Sequence, residues 1–151
     1  LPPEALEIEV ADEAALSRSE EVIETLSRLS EHGVRLALST FGKGNGVLTL
    51  LARLRPQVLT INKTLLCESV PGDCRADVAA LANMAETLGA RTLIEGVATD
   101  ADLDMARDAA CALAEGPGVS PPLAAPDICA FARALRSGAS RPARIATPSA
   151  T

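Results

Sequence analysis

The chain contains no Trp and no Tyr, only two Phe (Phe41 and Phe131) and a single His (His32) among its 151 residues. Its 14 Lys+Arg stand against 20 Asp+Glu, a net charge of −6. Base stacking and phosphate neutralisation, the two devices on which nucleic-acid binding rests, are therefore both poorly supplied. Nucleic acid is excluded as a main partner. There is no run of about 18 apolar residues, so no membrane segment is expected. The N-terminus carries neither the basic nor the apolar region of a signal peptide, and a cytoplasmic location is expected. No Cys-x-x-Cys pair occurs among Cys67, Cys74, Cys111 and Cys129, and His32 completes no usual zinc spacing with them. Four reduced, mostly buried thiols are expected. A disulfide between Cys67 and Cys74 across the Pro71-Gly72 turn is the alternative.

What is present is a hydrophobic content of 48%, enough for a core of ordinary domain size, arranged in alternating patterns. Leu6 to Val10 alternates apolar and acidic residues, as a strand with one buried face does. A helix is expected from Asp12 to Glu31, burying Leu16, Val22, Ile23, Leu26 and Leu29 and stopping at Gly33, with His32 as a capping residue in its last turn. Val34 to Leu38 reads as a strand covered on both faces. The Gly-rich turn from Gly42 to Gly46 then leads into a helix from Val47 to Leu54. Further strands are expected at Val58–Ile61, Thr92–Ile94 and around Leu113, with a loop from Cys67 to Cys74. Further helices are expected at Asp77–Leu88, Asp100–Ala110 and Pro126–Leu135. Strand and helix alternate throughout, the pattern of a parallel α/β sheet.

Charge divides the chain unevenly. Arg133, Arg136, Arg141 and Arg144 all lie in the last 19 residues, so residues 1–132 hold the other 10 basic and all 20 acidic residues, a net charge of −10. Residues 137–151 are mostly Ser, Pro, Ala and Arg with no acid, the composition of a disordered tail or linker. Residues 1–136 are expected to be the folded part.

In parallel α/β folds, sites collect at the carboxyl ends of the strands. Here those ends carry Glu9 and Asp12, Ser39 and Thr40, Thr60 and Asn62, Glu95, and Glu115. Carboxylates and hydroxyls around one rim suit a hard cation, whereas each acid taken alone reads as a solvated strand end. The Gly42–Gly46 turn has neither Walker-loop nor dinucleotide-fingerprint spacing and reads as a tight strand-to-helix connection.

Taken in order, the strand-end segments resemble the C-terminal portion of EAL-type cyclic di-GMP phosphodiesterase domains. Glu7-Ile8-Glu9-Val10-Ala11-Asp12 is similar to that family's Glu-Leu/Ile-Thr-Glu strand. Leu36-Ala37-Leu38-Ser39-Thr40-Phe41-Gly42-Lys43-Gly44 resembles its Leu-Ala-Leu-Asp-Asp-Phe-Gly-Thr-Gly loop. Leu59-Thr60-Ile61-Asn62-Lys63-Thr64 stands where Leu-Lys-Ile-Asp-Arg-Ser is usual, and Ile94-Glu95-Gly96-Val97-Ala98-Thr99 where Ala-Glu-Gly-Val-Glu-Thr is usual. Cys111, Glu115-Gly116 and Pro122-Leu123 are similar to the closing Gly-Cys, Gln-Gly and Arg-Pro-Leu pattern. The resemblance covers residues 6–123. It implies about half of a (β/α) TIM-type barrel of eight units, here four to five parallel strands with alternating helices. The segment bearing the Glu-Ala-Leu signature is expected before Leu1.

The family's reaction is metal-assisted hydrolysis of a phosphodiester. By resemblance, Glu9 and Glu95 match metal-binding glutamates, and Asp12 an acid that supports the active-site loop. Ser39 and Thr40 stand in place of the paired metal-binding aspartates, Thr60 of the lysine, Ala98 of the second acid in Glu-Gly-Val-Glu, and Glu115 of the glutamine. Neutral hydroxyls do not hold two adjacent divalent cations, and a threonine brings no ammonium. The resemblance therefore implies a catalytically inactive, regulatory or protein-interaction module, with Glu9 and Glu95 as vestigial metal ligands. No cofactor is expected; Mg²⁺ or Mn²⁺ enters only if segments outside the chain complete the site. A half-barrel exposes strand edges, so a protein partner or a second copy is expected to cover the open side. Non-hydrolysing cyclic di-GMP binding is the alternative function, and active hydrolysis with ligands from a partner chain the third.

Overall fold

The computed structural model describes residues 2–11, 19–40, 47–69 and 73–136. After a 3-10 turn at Pro3–Ala5, the chain builds β1 (Glu7–Val10), α1 (Glu20–Glu31), β2 (Arg35–Thr40), α2 (Val47–Leu54), β3 (Val58–Asn62), α3 (Lys63–Ser69), α4 (Arg75–Thr87), β4 (Arg91–Glu95), α5 (Asp100–Asp108), β5 (Leu113–Ala114) and α6 (Ala125–Arg136). The five strands form one sheet in the order β1-β2-β3-β4-β5, every pair parallel. Sequential parallel strands joined by helices are the βαβ arrangement that the alternating sequence predicted.

The side-chain period of two divides each strand between two faces. One face packs under the helices. Leu36 and Leu38 of β2 and Leu59 of β3 join Ile23 and Leu26 of α1, Leu50, Leu51 and Leu54 of α2, and Ala85 of α4 in one buried cluster. Ile61 and Ile94 join Val78 of α4, Met105 and Ala106 of α5, and Val97 in a second. The opposite face carries the alternate residues: Glu9, Ala37, Ser39, Val58, Thr60, Asn62, Leu93 and Glu95, with Glu9 paired to Ala37, Ser39 to Thr60, and Asn62 to Glu95 in the registers.

The elements differ from the sequence expectations in three places. Ser19 is extended (φ −123°, ψ 100°) and α1 starts at Glu20, so no continuous helix runs from Asp12; residues 12–18, with Asp12 and Leu16, lie outside the described residues. Val22, expected on the buried face, is 43% exposed, because the face that α1 turns fully toward the sheet is the one bearing Ile23 and Leu26. Residues 67–69, expected as the start of a loop, form the end of helix α3, which is capped by Asn62, whose Oδ1 accepts from the Leu65 N–H at 3.0 Å. The Gly42–Gly46 turn and the tail at 137–151 lie outside the described residues.

The cysteine expectation is corrected for one pair. Cys67 and Cys74 form a disulfide, with Cα atoms 5.2 Å apart and seven residues of separation. The end of α3 and the start of α4 bring the two Cα atoms within the ordinary disulfide range, a closeness that residue spacing does not encode. Cys111 and Cys129 are thiols. His32 ends α1 as expected: its Nδ1 lies 2.6 Å from the Arg28 carbonyl oxygen, which accepts the bond. Gly33 follows in the left-handed region at φ 93°, where a side chain is costly.

Candidate functional site

The carboxyl ends of the strands bring together Glu9, Asn62, Glu95 and Glu115, four of the positions singled out from sequence. Glu95, the last residue of β4, is half-buried, while Glu9 and Glu115 are exposed. Burial pushes the Glu95 carboxyl above the ordinary range, and the charges of Glu9 and Glu115 push it further; a long hydrogen bond from Asn62 Nδ2 at 3.4 Å offsets only part of this. Glu95 is thus close enough to Glu9 and to Glu115 to feel both charges from a partly desolvated position.

The neutral positions behave otherwise. Thr60 is completely buried between Ser39 and Leu93 in the register. Ser39 is half-buried, and Ala98 is exposed on the loop after β4. The Thr40 backbone closes β2 beside Ile61, and its side chain lies outside the described residues. Among the described residues, no three His, Cys, Asp or Glu side chains group in a way that holds a metal ion.

Two structural devices hold the loop after β4, and sequence reasoning missed both. The first is centred on Asp102. Thr99 caps α5 in a capping box: its Oγ1 accepts from the Asp102 N–H at 3.2 Å, while Asp102 Oδ2 accepts from the N–H groups of Thr99 and Ala98, each at 2.9 Å. Asp102 Oδ1 also accepts from Lys63 Nζ at 2.6 Å, tying α3 to α5. Burial raises the Asp102 carboxyl, but the Lys63 ammonium, the two backbone N–H groups and the Thr99 hydroxyl outweigh it and hold the group well below the usual carboxylate range. Thr99-x-x-Asp102 ahead of an apolar-periodic stretch was the available signal.

The second device is the seam between the loops after β4 and β5. The Val97 N–H donates to the Glu115 carbonyl at 3.0 Å, and the Gly118 N–H to the Val97 carbonyl at 2.8 Å. Gly116, at φ 144°, lies so close that a Cβ there would stand 2.3 Å from the Val97 oxygen. Glycine is the residue that permits this approach, and the approach sets Glu115 beside Glu95.

A parallel sheet with helices packed on one face, and a rim of carboxylates where its strands end, defines the class of β/α-barrel proteins whose sites lie at the carboxyl ends of the strands. The sequence carries the match to a particular member of that class: the EAL domain family model matches residues 1–122. The chain belongs to the EAL domain family. It is 32% identical over 140 residues, 92% of its length, to the cyclic di-GMP phosphodiesterase NbdA of Pseudomonas aeruginosa. Its structure matches that of the PaMucR phosphodiesterase in complex with cyclic di-GMP, with a TM-score of 0.73 and 28% identity over 85% of this chain and 52% of the other. It also matches the EAL domain of Mycobacterium smegmatis DcpA, with a TM-score of 0.71 and 28% identity over 88% of this chain and 60% of the other. The chain spans only 16% to 39% of the length of three curated relatives that it matches. Among the described residues, no helix is long and apolar enough to cross a membrane.

Proposed function

We propose that this chain is a non-hydrolysing EAL module of cyclic di-GMP signalling that acts by contact with another protein. The observation that carries the reading is the composition of the strand ends: Glu95, whose carboxyl is pushed up by burial and by the charges of Glu9 and Glu115, stands on the same sheet face as a Ser39 and a fully buried Thr60. Metal-assisted phosphodiester hydrolysis needs two cations held close together and a charged group beside the attacking water. Neutral Ser39 and Thr60 supply neither the bridging charge nor the ammonium.

Contact with a partner is supported by exposed apolar surface: Leu65 and Ile128, 52% and 51% exposed, lie on helices α3 and α6.

The test is incubation of the purified chain with cyclic di-GMP and Mg²⁺ or Mn²⁺, followed by chromatography for the linear dinucleotide, with calorimetric titration of the same nucleotide alongside. The expected outcome is no product and no heat. Hydrolysis at ordinary enzymatic rates would sink the reading. Binding without product would replace it with a nucleotide receptor, the alternative kept open by the PaMucR complex and opposed by the acidic rim, which repels a dianion.

A further inference from the structure

We infer that the Cys67–Cys74 pair is a redox modification site, a disulfide–dithiol couple whose state sets the order of α3 and hence of the surface that α3 adds beside the carboxylate rim. The inference rests on the reading of the chain as a contact module and names a means of regulating it.

The first support is the length of α3. It has seven residues, below the length at which a helix holds itself in water, so its order comes from its ties. At its N-terminal end these are the Asn62 cap and the Lys63–Asp102 pair. At its C-terminal end the covalent tie is the disulfide to Cys74, which precedes α4, beside the packing of Leu66 and Cys67 on the second apolar cluster. Between these ties lies the exposed Leu65.

The second support is access. Cys67 is half-buried and Cys74 is 6% exposed, so an attacking thiolate meets the Cys67 sulfur first. A dithiol reductant balances the step. One of its thiolates attacks the Cys67 sulfur and breaks the S–S bond, and Cys74 leaves as thiolate and takes a proton from solvent. The second thiol of the reductant then displaces Cys67 from the mixed disulfide, which leaves Cys67 and Cys74 as thiols and the reductant as its cyclic disulfide.

The third support is economy of structure. The bond closes only a short loop, and neither cysteine belongs to a strand. The five-stranded sheet therefore persists when the bond opens, Cys74 keeps its place in the second apolar cluster, and the change is local to α3. Cys111 packs against the same apolar cluster, but burial pushes its thiol up and keeps it protonated, so it does not compete as a nucleophile.

The experiment is thiol counting by alkylation and mass spectrometry, with hydrogen exchange of the whole chain before and after treatment with dithiothreitol. Two alkylated cysteines are expected before reduction and four after it. Exchange of the peptide covering Lys63–Ser69 is expected to rise roughly tenfold or more once loop closure no longer restrains the open state, with β2 to β4 unchanged. The C67S/C74S double variant should show the reduced pattern in either condition, and C111S should respond as the parent does. Four reactive thiols in the untreated protein, or equal α3 exchange in both states, would overturn the inference. Neither result bears on hydrolysis, so the assay for the linear dinucleotide fails or succeeds independently.

Discussion

Replacing Asp102 tests how the loop after β4 is held. Its carboxylate accepts from Lys63 Nζ at 2.6 Å and from the N–H groups of Ala98 and Thr99 at 2.9 Å, with side-chain exposures of 19% for Lys63 and 15% for Asp102. A hydrogen bond to a charged group contributes roughly 1.5–3 kcal/mol and a helix cap about 1 kcal/mol. The Thr99 hydroxyl still caps α5 in the variant, and Lys63 regains some water, so the terms do not add in full. Asp102→Ala is expected to cost about 2–3 kcal/mol, roughly 5–10 °C in Tm for a chain of this size, and Asp102→Asn about half as much. The pH dependence carries a sign. The folded carboxyl titrates well below its unfolded value, so its contribution is fully present above about pH 4 and is lost as pH falls through the folded value. In urea unfolding, the gap between parent and Asp102→Asn should stay level from pH 7 to pH 5 and narrow below about pH 4. A loss under about 0.5 kcal/mol for Asp102→Ala, within the range of ordinary surface substitutions, or a gap that widens in acid, would refute the reasoning.

Three further outcomes follow from the same geometry. Glu95→Gln removes a carboxylate raised by burial and by Glu9 and Glu115; a group raised in the folded state destabilises as it ionises, so the variant's Tm should exceed the parent's at pH 8 and the two should converge toward pH 4. Gly116→Ala places a Cβ 2.3 Å from the Val97 oxygen and is expected to cost about 3 kcal/mol, read by urea unfolding, whereas a neutral result would mean that the seam between the loops gives way freely. Thr60→Lys restores the family's residue type at a fully buried position and is expected to lower stability by about 2 kcal/mol or more without producing hydrolysis.

Much of the fold was legible in local pattern because burial imposes its period on the strands and helices. The run from Val47 to Leu54 stands as a helix at those same bounds. Val34–Leu38 and Val58–Ile61 lie within one or two residues of β2 and β3. Where prediction failed, a partner distant in sequence decided. Cys67-Glu68-Ser69 reads as a loop because it adjoins Pro71-Gly72, yet α3 forms there, tied by Lys63 to Asp102, 39 residues away. The Cys67–Cys74 pairing likewise depends on where α3 ends and α4 begins.

The sequence by itself determined the alternation of elements, the family, and which residues stand at the strand ends, because residue type and periodicity are local properties and the motifs are contiguous. It also determined that Ser39 and Thr60 bring no charge. Only the tertiary structure decided that Glu9 and Glu115 act on Glu95, since their charges reach it only because the fold brings the ends of β1, β4 and β5 to one rim. It alone decided that Thr60 is sealed from solvent while Glu9 is open to it, because both are strand residues on the same face and differ only in what their neighbours cover.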